Sequence, residues 1–184
     1  CEQKKAYYIV RGDNNFPPLL ESIDTCPFAL TVLGNLSLLR MKNVAVIGAR
    51  RASLYSLQMS KKIGKVLADE GFVVVSGGAL GCDIMAHLGV LKTSLFQDRS
   101  LTVFPGGLNH LVPQVNRYTF ADLLARGGGF VSERLWDQKP RPHDFPIRNR
   151  IIMGLSQSLI VIEAQARSGS MRTAQLALDA GRDL

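Results

Sequence analysis

Short apolar runs that stop at glycine punctuate the chain, and each is followed by a stretch with apolar residues at helical spacing. Asn43-Val-Ala-Val-Ile47 ends at Gly48 and reads as a buried strand. Met59, Ile63, Val66 and Leu67 then fall at i, i+4, i+7 and i+8, the stripe of an amphipathic helix. Gly71 closes that helix, and Phe72-Val-Val-Val75 is a second strand rich in β-branched residues. The alternation continues through a helix over Ile84–Leu91, a strand Leu101–Phe104, a helix over Tyr118–Ala125 and a short strand Gly129–Val131. Ile147, Ile151 and Leu155 mark the next helix, Leu159–Ile162 the next strand, and Met171, Ala174 and Leu178 the last helix. Ahead of all this, Phe28–Leu33 reads as a first strand closed by Gly34-Asn35.

Strands alternating with helices, and strands apolar on both faces, predict an α/β fold: an extended Rossmann-like open sheet, mostly parallel, with helices on both faces. Residues 1–42 form a lead-in belonging to the same domain, and residues 43–184 carry the Rossmann-like unit. The start on Cys1 and the end inside the helix-like Gly181–Leu184 read as an excised fragment with a truncated C-terminus. In such sheets ligands gather beyond the carboxyl ends of the strands.

Composition narrows the partner. Hydrophobic residues make up 46% of 184, enough for a core, and the formal net charge of +7 favours a polyanion such as nucleic acid, or phosphate-bearing ligands. A basic, solvated surface is the plainer alternative. The cysteines, Cys1, Cys26 and Cys82, are odd in number and far apart, which argues against a disulfide framework or zinc site and for a reducing cytoplasm. No apolar run approaches the ~20 residues of a membrane span, and no secretory leader is visible, so no membrane partner is expected.

The informative loops follow strands. Gly48-Ala49-Arg50-Arg51-Ala52-Ser53 sets two arginines beside a helix N-terminus, whose free N–H groups favour an anion. Arginine adds a fork matched to phosphate. Ser76-Gly77-Gly78-Ala79-Leu80-Gly81-Cys82-Asp83 lets backbone approach a ligand, yet lacks both the Walker A lysine and the full dinucleotide fingerprint, so NAD and other cofactors are not expected. Arg167-Ser168-Gly169-Ser170-Met171-Arg172-Thr173 offers Ser168, Ser170 and Thr173 hydroxyls at another helix N-terminus, although ordinary capping by Ser170 needs only one of them.

Arg134–Arg150 is the most basic stretch, with Arg134, Lys139, Arg141, Arg148 and Arg150 against Asp137 and Asp144. His143 and Phe145 interleave with the charges, and Trp136 lies upstream. Cations beside rings suit a single nucleic-acid strand, the charges following the backbone and the rings stacking on bases. A core role for Phe145 stays open. Arg148 and Arg150, two residues apart, do not share a helix face, so one faces the ligand while the other pairs internally, with Glu133 or Glu163.

Val46-Ile-Gly-Ala-Arg-Arg-Ala-Ser53, Ser76-Gly-Gly-Ala-Leu-Gly-Cys-Asp83 with His87, Ser132-Glu133, Phe145-Pro-Ile-Arg-Asn-Arg-Ile-Ile152, and Ser168-Gly-Ser170 with Thr173 resemble, in order and spacing, the DNA-processing protein A (DprA/Smf) family. The match runs from about Phe16-Pro17 to Gly181-Arg182, and the Phe145–Ile152 and Ser168–Thr173 segments are its most specific parts. The resemblance implies a Rossmann core that binds single-stranded DNA without base specificity, self-associates as a homodimer, and hands the strand to the RecA recombinase in natural transformation. It implies that Arg50 grips phosphate, that Ser53, Ser76, Gly77, Ser168, Gly169 and Ser170 line the pocket, that Phe145 lies beside the strand, and that Arg148, Asn149 and Arg150 shape a basic wall. Together with Arg51, Gly78, Arg141 and Thr173 these are the candidate DNA-contacting residues. Three departures bear on the strand's path: Leu80 stands where the family usually has Arg, Pro142 where it commonly has Lys, and Val112-Pro113 where it has Tyr-Pro.

An enzymatic alternative rests on Phe104-Pro105-Gly106-Gly107, which resembles the phosphate turn of lysine-decarboxylase-like phosphoribohydrolases. The run continues Leu108-Asn109-His110-Leu111, without the Gly-Thr and Glu that chemistry needs. Asp83 and His87, at i and i+4, are expected to touch and to hold the second loop rather than to act as an acid–base pair, and no catalytic residue or metal ligand set is expected.

Overall fold

The structure, a computed structural model, describes residues 6–94 and 99–184; Cys1 lies outside them. Seven strands form one sheet in the order β1-β2-β6-β5-β4-β3-β7. These are β1 (Ala6–Val10), β2 (Ala29–Gly34), β3 (Asn43–Ile47), β4 (Val73–Ser76), β5 (Ser100–Val103), β6 (Gly129–Ser132) and β7 (Ser158–Val161). β3 to β7 run parallel, whereas β2 pairs antiparallel with β6 and β1 antiparallel with β2. The expected α/β architecture is present. β1 carries no strand signal that the apolar pattern singled out: Tyr8 is exposed and only Ile9 is fully buried, as at a sheet edge with one covered face.

The helices are α1 (Pro18–Glu21), α2 (Leu54–Asp69), α3 (Cys82–Val90), α4 (Arg117–Ala125), α5 (Asp144–Gly154) and α6 (Gly169–Asp179). Strand alternation divides the core between two faces. On one, Ala45, Ile47, Val73, Val75, Leu101 and Val103 pack with Leu20 of α1, Ile151 and Ile152 of α5 and Ala174 and Ala177 of α6. On the other, Val46 and Val74 meet Ala68 of α2 and Ala86 and Val90 of α3. Beside them Phe104, Phe120 and Phe130 contact edge to face, with centroids 5.0–5.9 Å apart.

Two helices centre small residues on the core: Ile63 and Leu67 of α2 pack at its flank and Ala174 of α6 lies within it, while other large apolar residues of the expected stripes face outward. In α2 the buried positions are Ser56, Ser60, Gly64 and Ala68. Met59, Ile63 and Leu67 flank that line half-buried, and Val66 is exposed. The reason is close approach to α3: a Cβ on Gly64 would stand 2.1 Å from the Ala86 carbonyl oxygen. In α6, Thr173, Ala174 and Ala177 are buried, while Met171 and Leu178 are exposed. Ile147 of α5 is likewise 40% exposed, with Ile151 buried one turn on.

The chain progresses from β3 through β4 and β5 to β6, then returns to place β7 on the far side of β3. Strand order therefore reverses between β3 and β7, and a crevice opens beyond their carboxyl ends, where open α/β sheets bind ligands.

Gly64→Val is expected to destabilise the fold by about 2 kcal/mol or more, because the overlapping atom is backbone and cannot swing away. Urea unfolding measures this, and an unchanged midpoint would contradict the close-packed α2–α3 contact.

Candidate functional site

The crevice contains a cavity of about 270 Å³. Gly48, Ala49 and Arg50 reach it from the turn after β3, Ala79 and Asp83 from the turn after β4, Arg148, Asn149 and Ile152 from α5, and Ser168, Gly169, Ser170 and Thr173 from the start of α6. Arg50, Arg148 and the 168–170 turn thus face one space. A shallower groove between α5 and α6 continues from it, sharing Asn149, Gly169 and Thr173 and adding Arg167 and Arg172. On the opposite side, an apolar hollow of about 180 Å³ is bounded by Gly77, Leu80, Val112, Pro113 and Phe145, with Arg50 and Arg148 in the shared wall.

Asp83 joins the walls. It lies in the first turn of α3, buried, and its carboxylate accepts backbone N–H groups from Gly48 in the first loop and from Gly77 and Ala79 in the second. Burial raises its pKa to about 6, against the opposing pull of the Arg148 charge and those three donors. Arg148, 5% exposed, donates Nη1 to the Gly77 carbonyl at 2.9 Å and to the Val103 carbonyl. Burial lowers its pKa to about 10, Asp83 opposing that, so it remains a cation at neutral pH. Its fit requires glycine at position 77, where a Cβ would stand 2.4 Å from Nη1. Arg148 is therefore a buried strut between the second loop and β5 that shows the cavity only part of its guanidinium.

Arg50 is exposed, and its guanidinium carbon stands 5.4 Å from the centroid of the half-buried Phe145 ring, a cation–π contact. Arg51 and Arg141 are exposed too. The Arg141 backbone N–H caps Asp144 Oδ2 at 2.7 Å, and Asp144 Oδ1 holds Arg134 at 2.6 Å, which anchors the entry to α5. Arg141 and Arg51 do not line the cavity.

At α6, Ser168 is the N-cap: its hydroxyl oxygen accepts the Met171 N–H at 3.3 Å and keeps its own proton to donate. The Gly169 and Ser170 N–H groups stand in the first turn, where a helix has no carbonyl of its own for them. Ser170 Oγ donates to the Gly48 carbonyl at 3.0 Å, tying α6 to the first loop, and Thr173 Oγ1 donates to the Gly169 carbonyl at 2.9 Å.

Several residues expected to line the pocket stand elsewhere. Ser76 is fully buried and donates to the Val46 carbonyl, holding β4 to β3. Gly78 turns inward at φ +63° against Thr102 and Phe120, and its carbonyl accepts from Asn116. Arg150 pairs with Glu133 and does not line the cavity, so both members of the Arg148–Arg150 couple are bonded inside the fold, Arg150 to a carboxylate and Arg148 to two carbonyls. Ser53 caps α2, but Glu163 Oε2 takes both its N–H and its hydroxyl at 3.0 Å. The Gly48, Ser53, Gly77 and Ala79 N–H groups are thus engaged by the chain's own carboxylates, Asp83 and Glu163, whereas Gly169 and Ser170 line the cavity at the start of α6. The expected Asp83–His87 contact is not formed: His87 Nδ1 meets Ser100 Oγ at 2.8 Å and Nε2 meets Thr102 Oγ1 at 3.3 Å.

An α/β domain with a crevice at its switch point, lined by Arg50, Arg148 and the start of α6, is the class that fold and site define. The chain matches the family described as DNA recombination-mediator protein A over residues 7–184, and it belongs to that family. It is 38% identical to the Smf protein of Escherichia coli, covering 97% of this chain and 47% of that one, so it spans about half the length of that relative. The solved DprA of Streptococcus pneumoniae superposes with a TM-score of 0.87 at 33% identity, over 99% of this chain and 62% of that one. The Helicobacter pylori DNA processing protein A, solved for its single-stranded DNA binding mode, gives 0.86 at 31% identity over 98% and 79%.

Asp83 and His87 titrate in opposite senses. Folded Asp83 keeps its proton to about 6 against 3.8 for a free side chain, so the folded state holds the extra proton in that window and stability falls as pH rises through it. Burial holds His87 neutral down to about 4 against 6.5, so the unfolded state holds the extra proton and stability rises with pH. The two slopes oppose each other in the native protein. Asp83→Asn is expected to leave the rise, and His87→Gln the fall, in melting temperatures measured between pH 4 and 6.5.

Proposed function

We propose that this domain binds single-stranded DNA without sequence preference, as a binding module rather than an enzyme, and passes the strand to the RecA recombinase during natural transformation or another DNA-processing pathway. The observation that carries the reading is the convergence of Arg50, Arg148 and the α6 N-terminus on one cavity. A phosphodiester fits there on chemical grounds: the Gly169 and Ser170 N–H groups and the Ser168 hydroxyl are donors without a geometry peculiar to any base, and Arg50 supplies mobile charge.

The apolar hollow behind Phe145 gives the bases a ring and aliphatic walls instead of hydrogen-bonding edges, in keeping with binding that tolerates any sequence. Leu80, at the place where the family usually has Arg, makes this wall apolar. The groove with Arg167 and Arg172 continues the cationic surface outward. The family match, and the single-stranded DNA mode of the H. pylori relative, support the same reading. A binding role also agrees with the separation of Asp83 and His87, each committed to its own partners. The net charge of +7 suits the polyanion, and the reading includes a homodimer acting in the cytoplasm.

Anisotropy with labelled oligonucleotides of about 20 bases across a salt series tests this, with AMP hydrolysis measured alongside. Affinity is expected to fall steeply with salt. Arg50→Ala is expected to weaken binding about tenfold for every sequence and to lower the salt slope by about one. Normal binding by that variant, with AMP cleavage by the native chain, would replace the reading with a phosphoribohydrolase.

A further inference from the structure

Two helices of ordinary length begin after the strands that flank the switch point, α2 with 16 residues after β3 and α6 with 11 after β7. In a doubly wound sheet the turn into the first of these is where a nucleotide's phosphate sits, on the N–H groups of the opening helical turn. Here the Ser53 end of that corner is already taken by the chain itself. Glu163, just beyond the end of β7, puts Oε2 3.0 Å from the Ser53 N–H nitrogen and 3.0 Å from the Ser53 hydroxyl, and the Ser56 hydroxyl also reaches its carboxylate. The Ser56 N–H is taken by Ser53 Oγ at 3.2 Å, and the Gly48 N–H by Asp83. Ser53 does not line the cavity, whereas Ser168, Gly169 and Ser170 do.

We propose that Glu163 is a specificity-determining residue: an in-chain carboxylate that stands where the phosphate of a free mononucleotide or dinucleotide would sit on α2, leaving α6 as the corner open to phosphate. A carboxylate and a phosphate oxygen ask for the same donors, and the fixed negative charge repels a second anion. The terminal phosphate of a free mononucleotide carries nearly two charges and is repelled more than a phosphodiester, which carries one, while a dinucleotide is disfavoured only through the donors already taken. The arrangement disfavours the small nucleotides that would otherwise compete with a strand for the same crevice. Its choice of strand over nucleotide rests on the proposed single-stranded DNA binding; the closing of α2 by Glu163 does not.

The test is a titration of the ¹⁵N-labelled chain with inorganic phosphate, followed by amide shifts, for the native protein and Glu163→Ala. In the native protein the Ser53 amide is expected to stay still. In Glu163→Ala it is expected to move, with phosphate affinity at that turn at least about tenfold higher, equivalent to about 1.4 kcal/mol. A Ser53 amide that shifts in the native protein, or a folded Glu163→Ala that gains no phosphate binding, overturns the proposal. Should Glu163→Ala not fold by circular dichroism, the native titration decides alone. Failure of the DNA reading appears separately, as oligonucleotides that do not bind and Gly169 and Ser170 amides that never respond.

Discussion

The site depends on one buried carboxylate. Asp83 gathers N–H groups from two loops that follow different strands and sets its charge against Arg148, which reaches over from a third element. Without it, three backbone donors and a guanidinium would lie buried without their charge partner, an expensive arrangement in a poorly solvated interior. With it, the turns after β3 and β4 share one anchor, and the α5 wall is held by the Arg148 bonds to Gly77 and Val103. Ser170, donating to Gly48, brings α6 into the same frame.

This framework separates structural charge from charge that can meet a ligand. Arg134 and Arg150 are spent on carboxylates inside the fold, and Arg148 bonds two carbonyls while still lining the cavity. Arg50 is exposed with its guanidinium over the Phe145 face, and among the described residues it has no ion pair. An excess of seven positive charges therefore says less about the cradle than does the identity of the arginines left exposed around it. The chain belongs to the recombination-mediator family, and its fold superposes closely on two DprA structures.

Most of the fold was legible because strands buried on both faces, such as Asn43–Ile47 and Val73–Ser76, leave unbroken apolar runs. β1 was missed although Tyr7-Tyr8-Ile9-Val10 is rich in aromatic and β-branched residues; the short run stands apart from the strand–helix alternation that marked the others. The faces of α2 and α6 were misjudged for a physical reason: where helices approach closely, small residues occupy the contact and large apolar ones flank it, so the visible stripe marks the flank. In the site, motif order brought the right loops together, but sequence could not say which polar groups were already satisfied. Ser76 and Ser53 look alike as hydroxyls near glycine loops, yet one holds two strands together and the other is bound by Glu163. Asp83 carried a faint signal, an acidic residue in the first turn of a helix after a glycine loop. Nothing in the sequence paired it with Gly48.

The contact at Gly64 has a mechanical consequence. α2 and α3 touch backbone to backbone, at Gly64 against Ala86 and at Gly89 against Lys61, so neither slides nor tilts independently. The turns that precede them are continuous with these helices and move as one stiff jaw. α5 and α6, by contrast, leave a groove between them, lined by Asn149, Arg167, Gly169 and Arg172, so this side of the crevice lacks the backbone-to-backbone contact of the other.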